Sequence, residues 1–223
     1  RMDRDTTTGK DSHARILKGL ESGETDILIG TQMIAKGHDF PGVTLVGVLS
    51  PDSTLNLPDY RSAERTYQLL TQVIGRAGRG NLPGRVVVQT LAPDHYAVQC
   101  AVCHASAEFY EKEMEFRREL SYPPFSHLVA LHFSGNLEER VRKGAEEARR
   151  LLESLRRARR SRMEILGPAP SPLARIRGKF RWQLLLKSAS RGEMHRLLAC
   201  WKAEYGPPSG VRVNVDVDPV EML

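Results

Sequence analysis

Apolar residues recur along this chain with two periods, and the order in which the periods alternate outlines its organisation. Residues 12–20 carry Ile16, Leu17 and Leu20 on one face of a predicted helix. The run Asp26-Ile27-Leu28-Ile29 reads as a short buried parallel strand, and 43–49 reads as a longer one. A turn-rich stretch, 50–59, leads into a helix over 61–74, where Ala63, Tyr67, Leu70 and Ile74 form a stripe. Asn81-Leu82-Pro83-Gly84 then turns the chain into a strand over 85–90. Strands alternating with helices imply a parallel sheet, so this part belongs to the α/β class.

Between 94 and 120 the charges alternate in sign along one predicted helix, as in a solvated or lobe-bridging element. Tyr122-Pro123-Pro124-Phe125 ends it, because proline disfavours helix at its own position and just before. Beyond this junction the pattern gives a strand at 127–133, a helix at 137–157, and a short strand at either 163–166 or 173–176. A strand at 180–187, a helix at 191–204 and a strand at 211–217 follow. The order β-α-β-β-α-β suits a ferredoxin-like split βαβ sandwich. Val211, Val213, Val215 and Val217 share one face of the last strand, and Arg212, Asn214 and Asp216 the other. Three segments result: an α/β lobe over 1–93, a connecting helix and junction over 94–122, and a smaller α+β domain over 123–223.

The formal net charge is +6 over 223 residues, which suits a polyanionic partner. No apolar run approaches the length that crosses a bilayer, so no membrane partner is expected. No apolar stretch near the N-terminus resembles a signal peptide, and the chain begins with Arg1. It is therefore read as a piece of a longer protein, and a cytoplasmic location is expected only from the function inferred below. Three cysteines give no disulfide framework. Cys100-x-x-Cys103-His104 offers half of a zinc site, but no second ligand pair accompanies it, and no metal ligands are assigned.

Candidate chemistry lies in two stretches. Gln72-Val73-Ile74-Gly75-Arg76-Ala77-Gly78-Arg79 places two arginines three residues apart, each after a glycine, at a predicted helix end. A guanidinium is always charged and fits phosphate oxygens with a fork of donors, and glycine lets backbone approach a ligand closely. Upstream, Gly30-Thr31-Gln32-Met33-Ile34-Ala35-Lys36-Gly37-His38-Asp39-Phe40-Pro41 follows a predicted parallel strand, where ligands bind in open α/β sheets. Thr8-Gly9-Lys10-Asp11 lacks the first glycine of a phosphate-binding loop and the hydroxyl after its lysine. The chain alone is not expected to hydrolyse ATP.

The first of these stretches resembles motif VI of superfamily 2 helicases and the second resembles motif V. The wording from Thr31 to Arg79, the opening Arg1-Met2-Asp3-Arg4-Asp5-Thr6-Thr7, the Tyr-Pro-Pro-Phe junction and the ending Asp216-Val217-Asp218-Pro219 narrow the resemblance. They are similar to the PriA (primosomal protein N′) family of bacterial replication-restart helicases. The resemblance implies a partial RecA-like lobe followed by a domain like a small ribosomal-protein fold. It implies Arg76 and Arg79 as catalytic arginines reaching the γ-phosphate. Gly37, Asp39, Gln72 and Gly75 then lie on the ATP side, and Thr31 contacts a DNA phosphate. ATP and Mg2+ would be shared with another lobe, and the family's Zn2+ ligands are not in this sequence. The implied activity is 3′ to 5′ unwinding at branched forks. Implied partners are branched and single-stranded DNA, single-stranded DNA-binding protein, primosome proteins and the replicative helicase loader.

Two basic surfaces stand out in the second half. Arginines at 149, 150, 156, 157, 159, 160 and 162 form the densest cluster; they could meet DNA or simply complement a helix C-terminus. Arg175, Arg177 and Lys179 flank Gly178 in a loop that interleaves basic and aromatic residues, and are candidate DNA contacts. Phe180, Trp182, Leu184 and Leu186 are expected to face the core. Arg191 and His195, four apart on one helix, could receive an acidic peptide tail such as that of single-stranded DNA-binding protein. Rival readings are another superfamily 2 repair helicase, or a non-catalytic DNA- or protein-binding module.

Overall fold

The computed structural model describes residues 12–31, 43–75, 77 and 83–222. The chain divides into two compact units, one of 1–57 with 62–112 and one of 58–61 with 113–223. No described helix is long and apolar enough to cross a membrane.

In the first unit, helix α1 (Ser12–Glu21) precedes strand β1 (Leu45–Leu49), the short helix α2 (Asp52–Leu55), helix α3 (Ser62–Ile74) and strand β2 (Arg85–Gln89). The two strands pair in parallel, Leu45 opposite Arg85 through Leu49 opposite Gln89. The expected strand at 26–29 is not formed. Only Gly30 makes a bridge, and Ile27 and Ile29 are 75% and 65% exposed. Leu17 of α1 instead packs with Leu28, the one apolar residue of that run held in a cluster.

The helix expected over 94–120 is two helices, α4 (Tyr96–Val102) and α5 (Ser106–Glu119). His104 takes a left-handed φ of 54° between them. The Ala105 amide donates to the Cys100 carbonyl at 2.9 Å and the His104 amide to the Ala101 carbonyl at 3.3 Å. These two bonds close a helix C-terminus in the Schellman pattern. Helical periodicity in sequence cannot register such a stop when a histidine replaces the usual glycine.

The second unit contains β3 (His127–Gly135), α6 (Glu138–Ala158), β4 (Glu164–Ile176), β5 (Lys179–Ser188), α7 (Arg191–Glu204) and β6 (Val211–Val217). The sheet is antiparallel throughout, in the order β4-β5-β3-β6. Strand β4 spans both of the alternatives left open at 163–166 and 173–176, joined through an irregular register. One face packs under α6 and α7. Val129, Leu131 and Phe133 meet Leu184 and Leu186 there, with Val141, Ala145, Ala148 and Leu152 above them. Each such large apolar side chain contributes about 1.5–3 kcal/mol on burial. The Tyr205 hydroxyl donates to the Gly144 carbonyl at 2.9 Å, and its ring stacks on Trp201. Burial pushes that hydroxyl's pKa up to about 12. The valines of β6 do not share one environment: Val211 is buried, while Val215 and Val217 are 40% and 58% exposed.

The opposite face carries a smaller cluster of Leu128, Ala130 and Leu185 with Met222, Tyr60 and Tyr122. Tyr60 stacks on Tyr122 at 5.2 Å between ring centroids. Lys187 is buried beside them. Its ammonium donates to the Leu120 carbonyl at 2.7 Å, lies 4.6 Å from the Tyr122 ring centre, and pairs with Glu164 at 3.2 Å. A buried lysine requires such partners. Buried Asp59 accepts from the amides of Arg61 at 2.9 Å and Met222 at 3.1 Å.

Both tryptophans of the chain, Trp182 and Trp201, lie in this unit, so their fluorescence reports on it. Asp59→Ala is predicted to lower its stability in urea by about 1–3 kcal/mol, because the buried Met222 amide loses its acceptor. An unchanged midpoint would remove Asp59 from the unit's structure. At Gly135, an added Cβ would stand 2.8 Å from the Gly210 carbonyl oxygen and 2.9 Å from a Val141 methyl. Gly135→Ala is therefore predicted to destabilise by about 1–3 kcal/mol through overpacking. Wild-type stability in the same titration would show that the backbones part without cost.

Candidate functional site

In the first unit the helix α3 delivers the predicted nucleotide-side residues to an exposed end. Ala63, Thr66 and Leu70 are buried at helical spacing, and Leu70 packs with Val98 and Ala101. Tyr67 stacks on Phe109 at 3.9 Å between centroids. These contacts fix the helix and leave Gln72 and Gly75 facing solvent. The Gly75 amide donates to Thr71 at 3.1 Å, extending the helical bonding past Ile74. A Cβ at Gly75 would meet only ordinary contacts, the nearest at 3.4 Å, so local crowding does not dictate glycine there. A cavity of about 330 Å³ beside this helix end is lined by Ile74, Ala77, Val86, Val88, Val102 and His104. It joins residues some thirty positions apart, which no local pattern could bring together.

The far ends of β1 and β2 are tied by a residue that the sequence reading passed over. The Asp52 carboxylate accepts from the Thr90 hydroxyl at 2.8 Å and the Leu91 amide at 3.1 Å. Burial opposes its ionisation, but these hydrogen bonds prevail and hold its pKa below the usual carboxylate value. Thr31 is exposed immediately after the Gly30 bridge. Gly37, Asp39, Arg76 and Arg79 lie outside the described residues.

In the second unit, β4 and β5 are joined by a two-residue turn of Arg177 and Gly178, with φ of 48° and 80°. Two successive positive φ values match the tight hairpin turn whose twist suits antiparallel strands. The turn brings Arg175, Arg177 and Lys179 together at one exposed hairpin tip. The Arg175 guanidinium sits 4.9 Å from the Phe180 ring centre. Phe180 and Trp182 pack against the helix-side core as expected.

Arg191 and His195 lie one turn apart on exposed positions of α7. Ser190 caps this helix by accepting from the Glu193 amide at 3.3 Å. Arg191 thus places a cation in the first turn, the end where the helix dipole favours anions. Where no helix covers the sheet, β3, β5 and β6 present His132, Arg181, Gln183, Asn214 and Asp216. The Nδ1 atom of His132 is buried without a hydrogen-bond partner among the described residues. Burial, then the nearby Arg181, lowers the His132 pKa from its ordinary 6.5, and Asp216 offsets part of this.

The parallel strand pair, its helix and the stretches around them place the first unit in a recognisable class. Residues 4–81 match the helicase conserved C-terminal domain, which fits a RecA-like lobe. Residues 118–220 match the primosomal protein N C-terminal domain. The chain belongs to the PriA family of replication restart proteins and corresponds to its C-terminal portion. It is 45% identical to the replication restart protein PriA of Bacillus subtilis (strain 168), over 100% of this chain and 28% of that protein. The protein of the same name from Synechocystis sp. is 43% identical over 100% of this chain and 26% of its own length. That of Haemophilus influenzae is 37% identical, over 100% and 30%. The chain therefore spans less than a third of the length of each of these three relatives.

One pH dependence follows from His132. Its folded pKa lies below the unfolded value, so the unfolded chain takes up the proton first as pH falls. The contribution of neutral His132 is complete above 6.5 and is lost as pH drops through the lower folded value. His132→Gln is predicted to flatten this acid limb of the tryptophan-monitored stability profile. An acid limb of the same slope in the variant would assign it to other groups.

Proposed function

We propose that this chain is the C-terminal part of an ATP-dependent DNA helicase that unwinds 3′ to 5′ at branched forks and restarts replication in the cytoplasm. The observation that carries this reading is the order of the two domain matches, with relatives named replication restart protein PriA aligning along the whole chain. ATP with Mg2+, bound jointly with another lobe, would supply the energy of translocation. Within this chain Arg76 and Arg79 would hold charge on the transferring phosphoryl group, the role of an arginine finger. Gly37, Asp39, Gln72 and Gly75 would line the nucleotide side, and Thr31 would hold a strand phosphate. The exposed end of α3 supports this placement, since a phosphate-binding arginine after it needs an open approach.

For the second unit the reading is a ferredoxin-like split βαβ domain, related in form to a small ribosomal protein, that binds DNA and partners. The β-α-β-β-α-β order and the sheet order β4-β5-β3-β6 support it. Arg175, Arg177 and Lys179 would meet DNA from the hairpin tip. Arg191 and His195 would receive the acidic tail of single-stranded DNA-binding protein; the misplaced cation in the first turn of α7 supports an anionic partner. Primosome proteins and the helicase loader complete the partners, and any Zn2+ of the intact protein would use ligands outside this sequence.

The test is DNA-stimulated ATP turnover by the intact protein carrying Arg79→Ala. Turnover is expected to fall on the order of 10³–10⁵-fold while nucleotide affinity is retained. Turnover equal to wild type would exclude Arg79 as the finger and favour a non-catalytic binding module.

A further inference from the structure

The arginine cluster on and after α6 does more than close a helix. It holds seven arginines over 149–162 and no lysine. Helix-dipole complement and solubility need only positive charge, which lysine supplies equally well. Arginine adds a planar fork suited to phosphate. Arg149 and Arg157 pair with Glu153 on their own helix. Among the described residues no acid pairs with Arg159, Arg160 or Arg162 at ion-pair distance.

The backbone supplies a second observation. The Ser161 amide donates to the Arg156 carbonyl at 2.9 Å and the Arg160 amide to the Arg157 carbonyl at 3.1 Å, closing the helix in the Schellman pattern. Arg160 therefore sits at the position that favours glycine, with φ 50°. A left-handed conformation costs a non-glycine residue about 1–2 kcal/mol. An arginine kept there at that cost points to a use for its side chain.

A third observation is spatial. A cavity of about 290 Å³ opens where the end of α6 meets the start of α7, lined by Arg159, Ser161, Glu193, Arg196 and Leu197. Arg159 donates to the Cys200 thiol at 2.9 Å, which fixes the guanidinium at the rim. The carboxylate of Glu193 is already engaged. It accepts from the Arg162 amide at 3.1 Å and the Ser188 hydroxyl at 2.8 Å. The hydrogen bonds from Ser161 and Ser188 hold its pKa below the ordinary carboxylate value. One acid thus faces two arginines at the cavity, and Arg160 and Arg162 flank the lining residue Ser161 in the chain. Among the described residues Leu197 is the only apolar one lining the cavity, so these residues offer no socket for the apolar side chain of a peptide.

We propose that this arginine-lined cavity is a second nucleic-acid contact of the chain, in which Arg159 and Arg196 hold one backbone phosphate and Arg160 and Arg162 follow its neighbours. This rests on the nucleic-acid reading above and adds a site distinct from the hairpin tip. Neutralised phosphates release counterions, so each contact steepens the fall of affinity with salt, by about 0.7 in log–log slope on a single strand.

The test is fluorescence anisotropy of a labelled oligodeoxythymidylate with the full chain, titrated between about 50 and 200 mM salt. Arg159→Gln, Arg160→Gln and Arg196→Gln together are expected to make the slope shallower by about 2. They should also weaken binding at least tenfold at the low-salt end, with an unchanged melting temperature. Arg160→Gly alone is expected to weaken binding while leaving the melting temperature equal or higher, because the backbone relaxes. An unchanged slope in the triple variant would overturn the site. If a variant of Arg175, Arg177 and Lys179 still lost affinity, the nucleic-acid reading would stand without it. An unchanged oligonucleotide slope with lost binding of labelled polyglutamate would assign the patch to an acidic protein segment instead. No oligonucleotide binding by the unsubstituted chain would overturn both readings.

Discussion

Strand β3 is buried from both sides, and the second unit is organised by that constraint. Val129, Leu131 and Phe133 turn toward the helices, and Leu128 and Ala130 turn toward Tyr60, Tyr122 and Met222. A strand buried on both faces fixes its register, because a slip of one residue would exchange the two sets. The neighbouring strands inherit that register through their ladders. Only at its far end, from His132 onward, does the helix-free side become polar. The candidate contacts lie away from this doubly covered centre, at the hairpin tip, the start of α7 and the end of α6, where substitution leaves the core untouched.

Arginines at two of these places share a backbone feature. Arg160 ends a helix and Arg177 makes a hairpin turn, and both take left-handed conformations that glycine would adopt without strain. His104 and Ser121 occupy the equivalent place after α4 and α5, each with the same pair of closing bonds. The chain thus ends helices with polar side chains where glycine is common. At Arg160 and Arg177 the turn directs a guanidinium outward on a short, well-defined piece of backbone, so less conformational freedom remains to be lost on binding.

Most elements of the second unit could be read from alternation and helical spacing, because β3, β5 and α6 each have one consistently apolar face. What escaped the sequence was set by distant partners. The run 26–29 looks like a buried strand by composition, yet no described neighbour pairs with it beyond Gly30. The stop at His104 depends on a backbone conformation, not on a breaker residue. In the first unit, the glycine–arginine and threonine–glycine stretches were conspicuous by residue type, while the cavity at the end of α3 joins residues far apart in sequence. The three basic residues of the hairpin could be singled out because they flank a glycine. The placement of Arg159 and Arg196 around one cavity has no local signature at all.

The interaction between Asp59 and Met222 spans 163 residues of chain. Segment 58–61 belongs to a unit whose remaining residues begin at 113. During synthesis at about 5–20 residues per second, Asp59 leaves the ribosome on the order of 10–30 s before its partner exists. Until then the helix-free face of the sheet lacks Met222. A chain that stops short of Met222 therefore covers Leu128, Ala130 and Leu185 with Tyr60 and Tyr122 alone, and the part of the apolar patch left open is one by which cellular quality control can tell an unfinished protein from a finished one.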